Sequence, residues 1–279
     1  MELSLITPIA HLEYTKLLPG RFAIAPIALK SDSYCEYFAQ AAKDGYKVIL
    51  DNGVFENDKV SDDEYIALAQ DLKPSVLIIP DTINGPALGN WHDAQHFINQ
   101  LDDVAGVQLM FVPQCAKNAD DGFWTVLDCA INHPAIAWIG ICRDAVYNAF
   151  GQYTGTKDQE LNRFYFAAEL QTRYTIEQIL SVKWHFLGMG NRFDMLPYFW
   201  FVDSMDTACL FYQSTLNNQM TSQYILPGNL KRPKDYFMHD FKPHDVWAFN
   251  SLLQKNCSAA LEMAQKADVM RREILGGRL

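Results

Sequence analysis

Short apolar runs that recur about every 20–30 residues, each closing on a polar residue, constrain this chain more than any other feature. Four of them read Val48-Ile-Leu-Asp51-Asn-Gly, Val76-Leu-Ile-Ile-Pro-Asp81, Leu109-Met-Phe-Val-Pro-Gln114 and Phe199-Trp-Phe-Val-Asp203-Ser-Met-Asp206. Runs this short and this rich in β-branched and aromatic residues predict strands buried on both faces. Helical patterns separate them. Ser31 opens one that Gly45 closes, Ser61-Asp-Asp-Glu64 forms a capping box before Tyr65, and further helices are expected at residues 91–101, 121–132 and 175–182. Additional strands are expected from Arg21, at Ile136–Cys142 and from Lys183 to Gly188. Strand followed by helix at this period is the βα repeat of a parallel sheet, and the expected fold is a TIM (β/α)8 barrel.

The chain has 279 residues, 49% of them hydrophobic, enough for one large core, and one domain over residues 1–279 is expected. Residues 144–165 are polar, rich in Gly and Tyr, and without a clear period, which predicts a long loop or insertion. A C-terminal amphipathic helix is expected over residues 243–275. No run is long and apolar enough for a transmembrane helix, and no basic-then-apolar segment opens the chain, so neither membrane nor signal peptide is expected. Six scattered cysteines without CxxC or Cys/His spacing speak against a zinc site and fit a reducing cytoplasm, or a host cytoplasm if the protein is viral. No metal and no cofactor is expected. The net charge of −10 disfavours broad nonspecific binding of nucleic acid. Residues 228–279 nevertheless carry nine Lys/Arg against six Asp/Glu, a local +3, while residues 1–227 carry 14 against 27, or −13. A basic C-terminal face can hold a polyanion locally, or be an ordinary solvated surface.

In a βα barrel, residues at the C-terminal ends of strands build the active site. Asp206 is the first candidate: a carboxylate beside a sugar C1′ can attack it and form a covalent glycosyl–enzyme intermediate. Asp203, three residues earlier, would face the other way on an extended strand. Either aspartate can instead cap a following helix. Asp51-Asn52-Gly53-Val54-Phe55 offers a carboxylate for proton transfer and a ring for stacking on a flat ligand, though Asn-Gly is also a plain turn signal. Asp81 can accept hydrogen bonds from N–H groups of a base or cap the next helix. Gln114 carries a donor and an acceptor together, suited to a purine edge or to buried backbone groups. The glycine-rich Leu187-Gly188-Met-Gly-Asn191 lacks dinucleotide or Walker spacing, so close approach of backbone to a planar ligand suits it better than a phosphate cradle. His185, His239 and His244 lack ligand spacing and read as structural. Ser204 has no nucleophile-elbow context.

Taken in order over residues 45–210, these segments resemble the tRNA-guanine transglycosylase superfamily. Leu50-Asp51-Asn-Gly-Val-Phe55-Glu resembles its Asp-Ser-Gly-Gly-Phe/Tyr-Gln motif, Pro80-Asp81 its base-recognising aspartate, and Val112-Pro-Gln114 its Val-Gln-Gly segment. Trp138-Ile-Gly140-Ile resembles its glycine-bearing strand, His185-Phe-Leu187-Gly-Met-Gly its Tyr-Leu-Met-Gly-Val-Gly motif, and Val202-Asp203-Ser-Met-Asp206 its Val-Asp-Met-Phe-Asp motif. The resemblance implies that Asp206 attacks C1′ of a guanosine nucleotide and Asp51 moves protons. It implies further that Asn52, Asp81, Gln114, Gly140, Gly188 and Asp203 line the base site, with Phe55 and Leu187 sandwiching the ring. The incoming base would be a free 7-deazaguanine such as preQ0 or preQ1.

The chain also departs from that family. It lacks the C-terminal cysteine-rich zinc motif, and Ala208-Cys-Leu-Phe-Tyr212 stands where a Leu/Met-Pro-Thr-Arg segment grips the tRNA anticodon loop. Asn52 replaces the usual serine and Glu56 the usual glutamine. A small chain without those elements is more similar to the branch that inserts deazaguanines into DNA in phages and bacteria. DNA is therefore the expected polymer, with tRNA the alternative and a homodimer one possible assembly. Arg143, Arg163, Lys231, Arg232 and Lys234 are the expected phosphate contacts; a duplex target base would have to leave the stack. Two other readings stay open: a catalytically silent relative that binds nucleic acid, and a barrel glycosidase using Asp51 and Asp206 as its carboxyl pair.

Overall fold

The structure, a computed structural model, describes residues 1–56, 60–101, 106–155, 158–227 and 232–276. Its strands are β1 (Glu2–Leu5), β2 (Arg21–Ile24), β3 (Val48–Asp51), β4 (Val76–Ile78), β5 (Gln108–Phe111), β6 (Ile136–Cys142), β7 (Lys183–Leu187) and β8 (Ser204–Thr207). The helices are α1 (Ala25–Ala28), α2 (Asp32–Lys43), α3 (Asp62–Leu72), α4 (Ala87–Gln100), α5 (Asp120–Ile131), α6 (Arg143–Thr154), α7 (Gln159–Arg173), α8 (Ile176–Leu180), α9 (Cys209–Thr215) and α10 (Val246–Ile274). The eight strands form one sheet in the order β1-β8-β7-β6-β5-β4-β3-β2, a nearly closed (β/α)8 barrel with added helices. By its packing the chain falls into two compact units, Arg21–Phe186 and Met1–Gly20 with Leu187–Leu279.

In the unit Arg21–Phe186, β2, β3 and β4 are buried nearly throughout, as their continuous apolar runs require, and β5 is buried from Met110. Neighbouring strands run parallel, with Ile24 level with Asp51, Leu50 with Leu77, and Ile78 with Met110. The capping box at Ser61 is present in full: Ser61 N–H donates to Glu64 Oε2 at 3.1 Å, and Glu64 N–H returns to Ser61 Oγ at 3.3 Å. It aims α3 so that Tyr65 is buried, with its hydroxyl 2.9 Å from the Leu50 carbonyl and 2.8 Å from that of Ile78. That hydroxyl fixes the last turns of β3 and β4 together, just below Asp51 and Asp81. The imidazole of His185 is buried and stacks on Phe22 at 5.5 Å, which makes it a structural residue.

The insertion expected near residues 144–165 is present, but it is helical rather than a loop. Val146, Ala149 and Phe150 on α6 and Phe166 and Leu170 on α7 are buried against Phe123 and Trp124 of α5, with Trp124 stacked on Phe166 at 5.7 Å. Asp158 caps α7 by accepting from Glu160 N–H and Leu161 N–H, and Gly155 ends α6 in the left-handed region at φ 62°. Polar residues on the outer face hid the i, i+3, i+4 spacing.

In the other unit, β1 pairs with β8, placing Ser4 level with Asp206. Gly20 lies against β1: its N–H donates to Leu3 O at 2.9 Å, and a Cβ there would fall 2.2 Å from Ser4 Oγ. The run from Phe199 to Val202, expected as strand, is turn instead, and β8 begins only at Ser204. Helix α10 starts after the Asp245 cap and buries Phe249, Leu253, Cys257, Ala260, Met263, Ala264 and Ala267, one stripe at helical spacing. Among the described residues no helix is long and apolar enough to cross a membrane.

Candidate functional site

Three residues at strand ends of the Arg21–Phe186 unit form one polar group. Asp81, three residues past β4, accepts at Oδ1 from Asn52 Nδ2 (2.7 Å) and at Oδ2 from Gln114 Nε2 (2.7 Å). Asn52 follows β3 directly, and Gln114 lies three residues past β5. Each amide is itself held. Asn52 also donates to Ile79 O at 3.2 Å and accepts Val54 N–H at 2.8 Å, so it cross-links two strand ends and shapes its own turn. Both N–H groups of its amide are thus spent on Ile79 O and Asp81.

Gln114 is wholly buried, and its Oε1 has no hydrogen-bond partner among the described residues. Two amide N–H groups require acceptors opposite them, so an ionised Asp81 forces Gln114 to present Oε1 away from the carboxylate. An acceptor so placed, beside a carboxylate, suits a ligand edge that carries N–H donors.

Burial pushes the Asp81 carboxyl up to about 6, against the amide hydrogen bonds from Asn52 and Gln114, which pull it down. The thiol of Cys142 at the end of β6 is likewise pushed up to about 11, first by burial. Asp81 does not cap a helix: α4 begins after Pro86 with no side-chain cap.

Asp51 ends β3 half-buried, and its charge raises the phenols of Tyr34 and Tyr65, which burial already holds well above their usual range. The turn that follows it is a built one. Gly53 has φ +74°, and a Cβ there would meet the Pro26 ring at 2.3 Å, so only glycine fits. Phe55, in a single turn of 3-10 helix, is 45% exposed and its ring faces no core. Gly140 lies within β6 and is buried.

In the other unit, Asp206 is buried on β8, and its carboxylate accepts Gly188 N–H at 2.8 Å while its carbonyl accepts Met189 N–H at 2.7 Å. Gly188 itself has φ +69°. The glycine-rich segment after Leu187 thus gives two amides to Asp206, that of Gly188 to its carboxylate and that of Met189 to its carbonyl. Neither Asp203 nor Asp206 caps α9, whose Cys209 N–H donates to Thr207 Oγ1 at 3.0 Å. Asp203 lies before β8 and accepts from Arg271 Nη1 of α10 at 2.9 Å.

The expected phosphate contacts divide. Arg163 is wholly buried: Nη2 donates to Ile141 O at 3.0 Å, Nη1 lies 3.4 Å from Glu160 Oε2, and the guanidinium sits over the Phe186 ring. A buried arginine committed in this way cannot reach a phosphate, which corrects that assignment. Arg143 opens α6 half-buried, Lys234 is exposed, and half-buried Arg232 lies over Tyr236 at 5.0 Å. Lys231 lies outside the described residues.

Asn90 and Asn148 carry no motif, yet both are buried and bind the segments beside Asp81 and Gln114. No local signal marks them: Asn90 lies just before the helix expected over residues 91–101, and Asn148 lies in the segment without a clear period. Among the described residues no three His, Cys, Asp or Glu side chains are arranged to hold a metal. No protein-family model matches the chain, and no curated protein matches it at a significant level.

Proposed function

We propose that the protein is a base-exchange transglycosylase that replaces guanine in DNA with a 7-deazaguanine of the preQ0 or preQ1 type. The observation that carries this reading is the Asp81 carboxylate held between two side-chain amides at strand ends of a βα barrel. Guanine presents N1–H and the 2-amino group side by side, and a carboxylate matches that pair of donors with charge-assisted hydrogen bonds. Buried Gln114 Oε1 adds an acceptor beside it.

In the reaction, an Asp206 carboxylate oxygen bonds to C1′ as the C1′–N9 bond breaks, and Asp51 supplies the proton that N9 of the departing guanine takes up. The second base gives its N9 proton to Asp51, bonds to C1′ and displaces Asp206. One glycosidic bond is exchanged for another, so the covalent ester stores what the second step needs. The amide of Gly188 on Asp206 orients that carboxylate. Phe55, exposed beside the Asp51 turn, stacks on the base, and Arg143 and Lys234 contact backbone phosphates.

The test is incubation with labelled preQ0 or preQ1 and either guanine-containing DNA or tRNA. Label entering DNA, and lost in Asp206→Asn, is the expected result. Label entering tRNA alone moves the polymer assignment, and binding without label in either polymer refutes the enzyme.

A further inference from the structure

Asp81 and Gln114 stand on two different strand-end segments, and something must hold those segments in register. On α4, Asn90 is 2% exposed and both ends of its amide are used. Its Oδ1 accepts from Thr82 N–H at 2.9 Å, one residue past Asp81, and its Nδ2 donates to Val112 O at 3.1 Å, two residues before Gln114. A second asparagine repeats the device farther along both segments. Asn148 on α6 donates from Nδ2 to Asn84 Oδ1 at 2.5 Å and to Cys115 O at 3.1 Å. Its own carbonyl accepts Asn118 N–H. Two buried amides thus span the same two segments, on either side of Gln114 and directly after Asp81.

We infer that Asn90 is a positioning residue for the base site, setting the separation of the Asp81 carboxylate from the Gln114 amide through the backbone on either side. A side chain there must accept from one segment and donate to the other at once, which a carboxylate or an alkyl group cannot do, and which the single oxygen of serine, on a shorter side chain, cannot do across both segments. Without that tie the Gln114 hydrogen bond to Asp81 loosens, and the ligand meets a carboxylate and an amide at the wrong spacing. The functional part of this inference rests on the base-exchange reading; the structural part does not.

The groups hydrogen-bonded to the Asp81 carboxyl are the amides of Asn52 and Gln114 and its own backbone N–H, and the groups that feel its charge are the Tyr65 phenol and the Cys142 thiol. Burial holds the last two neutral through the neutral range. The carboxyl's own titration therefore reports its hydrogen bonds. Asn90→Leu orphans two buried backbone groups and is the variant at risk of not folding. Asn90→Ser retains a hydroxyl that serves one segment at a time.

The experiment is 13C titration of aspartate carboxyls in the full chain, with the Asp81 signal identified by Asp81→Asn, followed by calorimetry with free guanine. In Asn90→Ser the Asp81 midpoint should rise by about half a pH unit or more, because a hydrogen bond to the charged form is lost. Guanine affinity should fall about tenfold. An unmoved midpoint in folded Asn90→Ser overturns the inference, whatever happens to melting temperature. If the midpoint moves but wild-type protein binds no guanine, the tie stands and the base-exchange reading falls. If guanine binds and neither quantity changes, the reading stands and the tie falls.

Discussion

Replacing Asp81 by asparagine separates what this carboxyl does for stability from what it does for binding. A rise from the ordinary 3.8 to about 6 corresponds to about 3 kcal/mol at about 1.4 kcal/mol per pKa unit. The sign follows from which state holds the proton more tightly. Because the folded protein does, Asp81 adds stability that is fully present below about pH 4 and is lost as pH rises through about 6. Half-burial leaves some screening by water, so the loss between pH 4 and 7.5 is at most about 3 kcal/mol. Asp81→Asn removes the titration and keeps the shape. Its new N–H₂ faces one of the two amides, and Gln114 can answer by turning its unpartnered Oε1 inward. Urea unfolding of both proteins from about pH 3.5 to 8 should show curves that separate between about pH 4 and 6 and run parallel above about pH 6, with the variant up to about 3 kcal/mol more stable there. Guanine should bind the wild type better as pH rises through about 6, since the ionised form accepts the N–H groups. The variant should bind about 10–100-fold more weakly at pH 8, for loss of a charge-assisted pair. Stability curves that stay parallel between about pH 4 and 6 would refute the burial argument for Asp81.

Gly53→Ala places a methyl on a φ +74° backbone 2.3 Å from the Pro26 ring, and should lower unfolding free energy by about 2 kcal/mol or more in denaturant melts. Tyr65→Phe removes the hydroxyl that serves Leu50 O and Ile78 O; about 1–2 kcal/mol of stability should go with it, read by the same melts. Arg163→Met leaves Glu160 buried without its cation, so a loss of about 3–5 kcal/mol is expected. The salt dependence of DNA binding by any folded fraction should stay that of the wild type, whereas Lys234→Ala should flatten it by about one ion.

The barrel was legible because β2, β3 and β4 are buried on both faces, and the sequence of such a strand is a plain apolar run. Caps were legible for a similar reason: Ser61 and Ser31 act within four residues, so local chemistry decides. The helices α6 and α7 were not, since their apolar stripe exists only in relation to the aromatic face of α5. In the site, Asp81 and Gln114 were readable as strand-end polar residues. That Asn52 joins Asp81 was not, because the 29 residues between them close only through the sheet. The burial of Arg163, expected as a phosphate contact, was not legible: nothing local distinguishes an exposed arginine from one whose counterion and carbonyl are supplied by folding. The amides of Gly188 and Met189 on Asp206 were also hidden, a contact between segments 18 residues apart.

Covalent capture reads the nucleophile itself. Wild-type protein is mixed with a guanine-containing DNA oligonucleotide without any incoming base, denatured, digested and weighed by mass spectrometry. A nucleotide ester is expected on the peptide carrying Asp206, absent from Asp206→Asn and discharged when preQ0 is added before denaturation. Incorporation of preQ0 with the ester on another residue, or undiminished in Asp206→Asn, would contradict that assignment.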